Sequence, residues 1–239
     1  MRKKKTEGSV RGKRIVAVCS PQTGSGVTLT ALALACSLAE EASVCFAEAG
    51  KPYVFDAFGM GKAFLLSGFT DYYRLFADNK AFPGPANLWR GIFWAVRPGA
   101  AEPPPSWLQE ADEILRFAEK LPGDYTVLDC SDLDGFLLEG VLSGADRIYL
   151  VVDPLPGKLL PASPRLQRLR YAYPGAVLAV NRMNPGVHKR ELDAYLGTSS
   201  YLALPDIGAQ SIYRAEYACT LPLDLPEGKK LSASLKKLE

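Results

Sequence analysis

The residues most able to do chemistry lie in one short run, Ser20-Pro21-Gln22-Thr23-Gly24-Ser25-Gly26-Val27-Thr28. Glycines at this spacing let a backbone turn so that successive N–H groups converge on one phosphate, and a helix starting just beyond adds the positive end of its dipole. Such loops normally also place a lysine on the outer phosphates and a Ser or Thr hydroxyl on Mg²⁺. Here the turn supplies no positive side chain. Other candidate groups sit at the ends of apolar runs: Glu48, Asp129, and the pair Asn181-Arg182. The single histidine, His188, lies in a polar stretch and leaves almost no material for a histidine metal site or a triad.

The elements that must hold these groups follow from the apolar pattern. Arg14 to Cys19 reads as a buried strand, the Gly-rich turn follows, and Val27 to about Glu41 reads as a helix. Further strands are expected at Ser43–Glu48, Trp89–Val96, Tyr125–Asp129, Arg147–Val152, Ala176–Val180 and Leu202–Leu204. Helical spacing appears in residues 62–79 and in Trp107–Leu121, the latter with Ser106 as its N-cap. Glu48 reads as a surface residue at a strand end. Strands alternating with helices predict an α/β fold: a mainly parallel, twisted sheet of about seven strands with helices on both faces. Residues 1–12 read as a basic disordered tail and 13–239 as one domain.

These motifs, in order, resemble the MinD/ParA family of P-loop NTPases. The turn resembles the family's deviant Walker A loop, with Gly24 and Gly26 as its second and third glycines and Thr28 as its Mg²⁺-binding threonine. Thr23 replaces the first glycine, Gln22 stands at the signature lysine and Val27 at the phosphate-gripping lysine. The resemblance implies nucleotide contacts from Gly24, Ser25, Gly26, Val27 and Thr28, and Mg²⁺ held by Thr28 and by Asp129 at the end of a Walker B-like strand. It also implies an adenine-reading role for Asn181, with Arg182 beside it. The pattern Ala145-Asp146 through Asp153-Pro154, and the step Leu204-Pro205-Asp206, match further family positions, so the likeness runs over about residues 12–239. The loss of lysines is closest in look to the TadZ/CpaE pilus-assembly branch. Each lysine on a phosphate is worth about 1.5–3 kcal/mol, so turnover is expected to be lost or very weak. Two readings of the loop stand: ATP or ADP with Mg²⁺ held by backbone N–H groups and Thr28, or a tight strand-to-helix turn that binds no cofactor.

The resemblance implies a localisation or assembly scaffold. The alternatives are a working ATPase of spatial organisation, with Arg182 or Lys51 reaching the phosphates, and an ATP-dependent small-molecule enzyme of the same fold. Composition narrows the partners. The 239 residues carry a net charge of only +2, so nucleic acid is not expected. Protein partners and a homodimer are expected instead. Residues 1–14 hold seven Lys/Arg, and the C-terminal stretch places Leu231, Leu235 and Leu238 on one face among lysines. These two ends keep peripheral contact with the inner membrane face open, although a final helix docked on the sheet is the preferred reading of the second. No apolar run approaches a membrane span. Five widely spaced cysteines without C-x-x-C point to reduced thiols and a cytoplasmic setting.

Overall fold

Strands buried on both faces need apolar residues at every position rather than every second one. Ile15, Ala17 and Cys19 of β1 (Arg14–Cys19) face one core, while Val16 and Val18 face another. The computed structural model describes residues 12–84, 86–99 and 104–235; the expected basic tail, apart from Gly12, lies outside them, as does Leu238. In chain order the elements after β1 are α1 (Val27–Leu38), β2 (Val44–Glu48), α2 (Val54–Ala57), α3 (Met60–Ala63), α4 (Tyr72–Ala77), β3 (Leu88–Trp89) and β4 (Ile92–Ala95). They continue as α5 (Ala111–Lys120), β5 (Tyr125–Asp129), α6 (Gly135–Ser143), β6 (Arg147–Val152), α7 (Pro156–Ala172), β7 (Val177–Met183), α8 (Lys189–Leu196), β8 (Leu202–Pro205), α9 (Ala209–Ala218) and α10 (Pro226–Leu235).

The strands form one eight-stranded sheet in the order β3-β4-β2-β5-β1-β6-β7-β8. Every pairing is parallel except β3 with β4. One face is covered by α1, α10 and the short α2 and α3; the other by α4 to α8. β1 lies between β5 and β6, with the chain leaving it toward β2 on one side and β6 reached on the other, so its carboxyl end opens at a topological switch point. Open α/β sheets bind ligands at such points.

The expected strand at Trp89–Val96 is instead a hairpin, which raises the count from seven to eight. Arg90 and Gly91 both adopt positive φ, 54° and 78°, the combination that turns a two-residue hairpin. The expected helix from Trp107 is also broken. Ser106–Gln109 forms a 3₁₀ turn, Glu110 is extended, and α5 starts at Ala111, so Ser106 does not cap it. The first helix ends at Leu38, before Glu41. The C-terminal stretch docks as preferred: Leu231 and Leu235 of α10 are buried in the core shared with α1.

Candidate functional site

The turn after β1 has the backbone of an anion cradle. Gly24 and Gly26 take φ values of 62° and 90°, a region in which other residues are strained. α1 begins directly after Gly26, and no side chain caps its first N–H groups. Those donors are the ones a helix leaves unsatisfied and an anion can take. Gly26 is also required by space: a Cβ there would lie 2.2 Å from Asn181 Nδ2.

The side chains of Gln22 and Val27 are built into the fold. Gln22 is buried and clasps the backbone of Asp153: its Oε1 accepts from Asp153 N at 2.6 Å and its Nε2 donates to Asp153 O at 3.3 Å. Val27 is 4 % exposed and packs into the α1 core. Two cations do reach the turn from elsewhere. Lys158, in the first turn of α7, donates to Gly24 O at 3.1 Å and to Asp153 Oδ2 at 3.1 Å. Arg182 donates to Gly24 O at 3.0 Å and pairs with the same Asp153 oxygen. Burial pushes the Asp153 carboxyl up, but the Leu155 N–H, Lys158 and Arg182 outweigh it and hold it below its usual range. Lys51 lies elsewhere, its backbone N–H donating to Asp132.

Asn181 is 2 % exposed and its Nδ2 donates to Ser25 O at 2.8 Å, so its amide ties β7 to the turn. Ser25 Oγ is buried and has no hydrogen-bond partner. On the other side stand two carboxylates, Glu48 and Asp129, neighbours across the parallel β2–β5 pair. Asp129 is 3 % exposed; burial raises its pKa to about 6, while the Thr28 hydroxyl and the Ser131 N–H pull it down. Thr28 and Asp129 are thus brought together, as a Mg²⁺ pair requires.

Glu48 is not a surface residue: it is 2 % exposed. Its Oε1 accepts from Tyr53 N and Val54 N, which start α2, at 2.9 and 2.8 Å, while Oε2 is unpartnered. Burial, with a smaller push from Asp129, raises its pKa to about 8. The buried Tyr73 hydroxyl donates to Glu48 O at 2.6 Å or Ala95 O at 2.9 Å, and the Arg97 guanidinium sits 5.0 Å from its ring centroid. No site role was expected from sequence for Lys158, Asp153, Tyr73 or Arg97. The signal for Lys158 was its place soon after the end of a strand, in the first turn of a helix opened by Pro156.

A cavity of about 660 Å³ covers the turn. Gly24, Ser25, Gly26, Val27, Thr28, Asn181 and Arg182 all border it. Asp129 does not. His188 is exposed and 3.6 Å from Glu191. All five cysteines are free thiols. Among the described residues there is no cluster able to hold a metal by three or more His, Cys, Asp or Glu side chains, and no helix long and apolar enough to cross a membrane.

No protein-family model and no curated protein matches the sequence. Solved structures do. A ParA family ATPase from Chlorobium tepidum superposes with a TM-score of 0.71 at 16% identity, covering 94% of this chain and 98% of its own. The septum site-determining protein MinD of Pyrococcus horikoshii, solved with Mg-ADP, gives 0.69 at 13% identity over 94% and 95%. A variant of Cyanothece McdA, solved in complex with ATP, gives 0.64 at 16% over 95% and 96%. The chain therefore has the P-loop NTPase fold of the MinD/ParA ATPases.

Proposed function

We propose that this protein is a degenerate MinD/ParA-like scaffold for localisation or assembly, in the manner of the TadZ/CpaE branch, with weak or no nucleotide binding and little ATP hydrolysis. One observation carries the reading: both side chains at the lysine positions serve the fold, Gln22 by clasping Asp153 and Val27 by filling the core. The residues fit MgATP only in part. The glycine turn, the uncapped start of α1 and the Thr28–Asp129 pair suit a phosphate and Mg²⁺. The charge does not: Lys158 and Arg182 are bound to Asp153 and to the Gly24 carbonyl, leaving one net positive charge for a triphosphate. Phosphoryl transfer depends on electrostatic stabilisation of spread negative charge, so hydrolysis is the activity most exposed to this deficit.

The second reading, a working ATPase of spatial organisation, is favoured by one specific contact: Arg182 and Lys158 already touch the turn and need only leave Asp153 to meet a phosphate. Calorimetry with MgATP, run beside a phosphate-release assay, separates the two. The scaffold reading expects no measurable turnover and binding no tighter than the millimolar range; micromolar affinity with steady phosphate release would replace it with the ATPase. Protein partners, a homodimer that forms without ATP, a cytoplasmic setting and peripheral membrane contact through the basic ends belong to the same proposal. So do the division into residues 1–12 and 13–239 and the roles given to Asn181 and Arg182. Sedimentation with and without nucleotide tests the dimer, since an ATP-driven shift would contradict it.

A further inference from the structure

A second cavity, of about 650 Å³, lies between the start of α7 and α8, bordered by the chain that joins β7 to α8. No residue from Ser20 to Thr28 lines it, and only Arg182 and Asp206 border both this cavity and the one over the turn. Its walls are apolar: Leu155, Leu159 and Leu160 come from one side, Val187, Leu192 and Tyr195 from the other. The Tyr195 hydroxyl donates to Leu159 O at 3.2 Å and fastens the two helices together. Leu155 and Leu160 are 56% and 58% exposed although they line a concave surface. Large apolar side chains left in water around one hollow mark a binding surface more than scattered exposed residues do.

One end of this cavity is positive. Lys158, Arg182 and Asp153 border it and sum to one positive charge. Asp153 is saturated: Oδ2 takes both cations and Oδ1 accepts from Leu155 N at 3.0 Å. The cations are not. Arg182 bonds through Nη1 alone, and Lys158 makes two hydrogen bonds with its three protons. Among the described residues, Nε and Nη2 of Arg182 therefore keep donors to offer. α7 and α8 both begin at the cavity, and neither has a side-chain cap, so the positive ends of two helix dipoles add to the charge. Two other carboxylates stand on the lining. Asp206 accepts from Gly208 N at 2.9 Å, and Glu191 is 82% exposed beside His188 at the outer rim.

We propose that this cavity binds a small amphipathic carboxylate, its acid group at the Lys158–Arg182 end and its aliphatic body between α7 and α8. Arginine presents paired donors that match a carboxylate, and the leucine walls take the apolar body out of water. The volume lies within the range of small-molecule sites. This inference is independent of the scaffold reading, since the glycine turn contributes nothing to the walls.

The test is calorimetric titration of the full chain, at one pH and ionic strength, with three probes that share an eight-carbon chain: octanoate, octan-1-ol and octyltrimethylammonium. Octanoate is expected to bind roughly tenfold more tightly than octan-1-ol, and the cation most weakly. Arg182→Met should remove most of the preference for octanoate while leaving octan-1-ol unchanged. Leu160→Gln, at an exposed position, should weaken octanoate and octan-1-ol alike without moving the thermal unfolding midpoint. Octanoate binding no tighter than octan-1-ol overturns the proposal, as does an Arg182→Met variant that keeps the full preference. Octanoate affinity untouched by Leu160→Gln would place the acid elsewhere and overturn it too, as would no binding of octanoate at millimolar concentration.

Discussion

At the turn after β1, the positions that would carry charge hold Gln22 and Val27, and both are absorbed into packing. At the neighbouring ends of β2 and β5, the charged types persist as Glu48 and Asp129, each nearly inaccessible to water. The first region has the backbone of an anion cradle and no cationic side chain of its own. The second holds two buried carboxyl groups, and burial raises their pKa values, to about 8 for Glu48 and about 6 for Asp129. Glycine geometry and helix packing carry the loop, so its fold does not depend on a charged side chain at either position. Deleting a buried carboxyl group is different, because Glu48 satisfies the N–H groups that begin α2.

The comparison breaks most sharply at Gly26. Gly26→Ala forces a side chain into left-handed backbone, costing about 1–2 kcal/mol, and drives a Cβ to 2.2 Å from Asn181 Nδ2, an overpacking cost of about 1–3 kcal/mol. Urea unfolding should show a loss of about 2–5 kcal/mol from the two together, with Asn181→Ala recovering part of it in the double variant. A loss under about 1 kcal/mol would mean that the turn is pliable and that its backbone is not the fixed part of the site.

Val27→Lys tests whether charge alone is missing. The new ammonium would stand at the start of α1, on the cavity wall. A charge-assisted bond to a phosphate is worth about 1.5–3 kcal/mol, so MgATP affinity should rise roughly tenfold to a hundredfold. Some stability is lost with the core contacts of Val27, which a melting curve records separately. Unchanged MgATP affinity in a folded variant would show that the obstacle is the Asp153-bound cation pair rather than the absent lysine.

Much of this architecture can be read from sequence, because strands buried on both faces are continuous apolar runs and the turn between the first run and the first helix is marked by glycines. What escapes is non-local. The Arg90-Gly91 hairpin hides because arginine is an uncommon occupant of left-handed backbone. Glu48 looks like a surface strand end until Tyr53, Val54 and Tyr73 are folded over it. The hub at Asp153 joins Gln22 from 131 positions away and Arg182 from 29, and no spacing rule connects them. The apolar runs place Asp129 at the end of its strand and Asn181 and Arg182 just past theirs, but not that Asn181 and Arg182 aim their donors at the turn itself.

On the acidic side, Glu48→Gln should sharpen the contrast through pH. A carboxyl group whose pKa is raised on folding leaves the native state holding more protons than the unfolded chain, so stability falls as pH rises between the two values. For Glu48 that window runs from 4.5 to about 8, and for Asp129 from 3.8 to about 6. Each group contributes a slope of at most about 1.4 kcal/mol per pH unit. Glutamine keeps the acceptor for Tyr53 and Val54, so the variant should lose the slope above pH 6 and be more stable than the parent at pH 8. Parallel stability profiles for parent and variant would show instead that Glu48 is ionised throughout.

The smallest effects belong to the cations on the turn. Lys158 and Arg182 share one oxygen of Asp153, and their side chains are 36% and 41% exposed. Solvent screening limits such pairs to about 0–1 kcal/mol each. Lys158→Met and Arg182→Met should therefore each cost no more than about 1 kcal/mol near neutral pH, and the double variant should cost more than the two singles combined, because the second removal leaves the buried Asp153 carboxylate with the Leu155 N–H but no cation. Since the pairs hold the Asp153 carboxyl below its usual range, their contribution is present above the unfolded carboxylate pKa and fades as pH falls through the folded value. Carboxyl NMR titration should show Asp153 moving upward in each variant. Strict additivity, with Asp153 unmoved, would mean that the two cations are steadied by the Gly24 carbonyl alone and are free to turn toward a ligand.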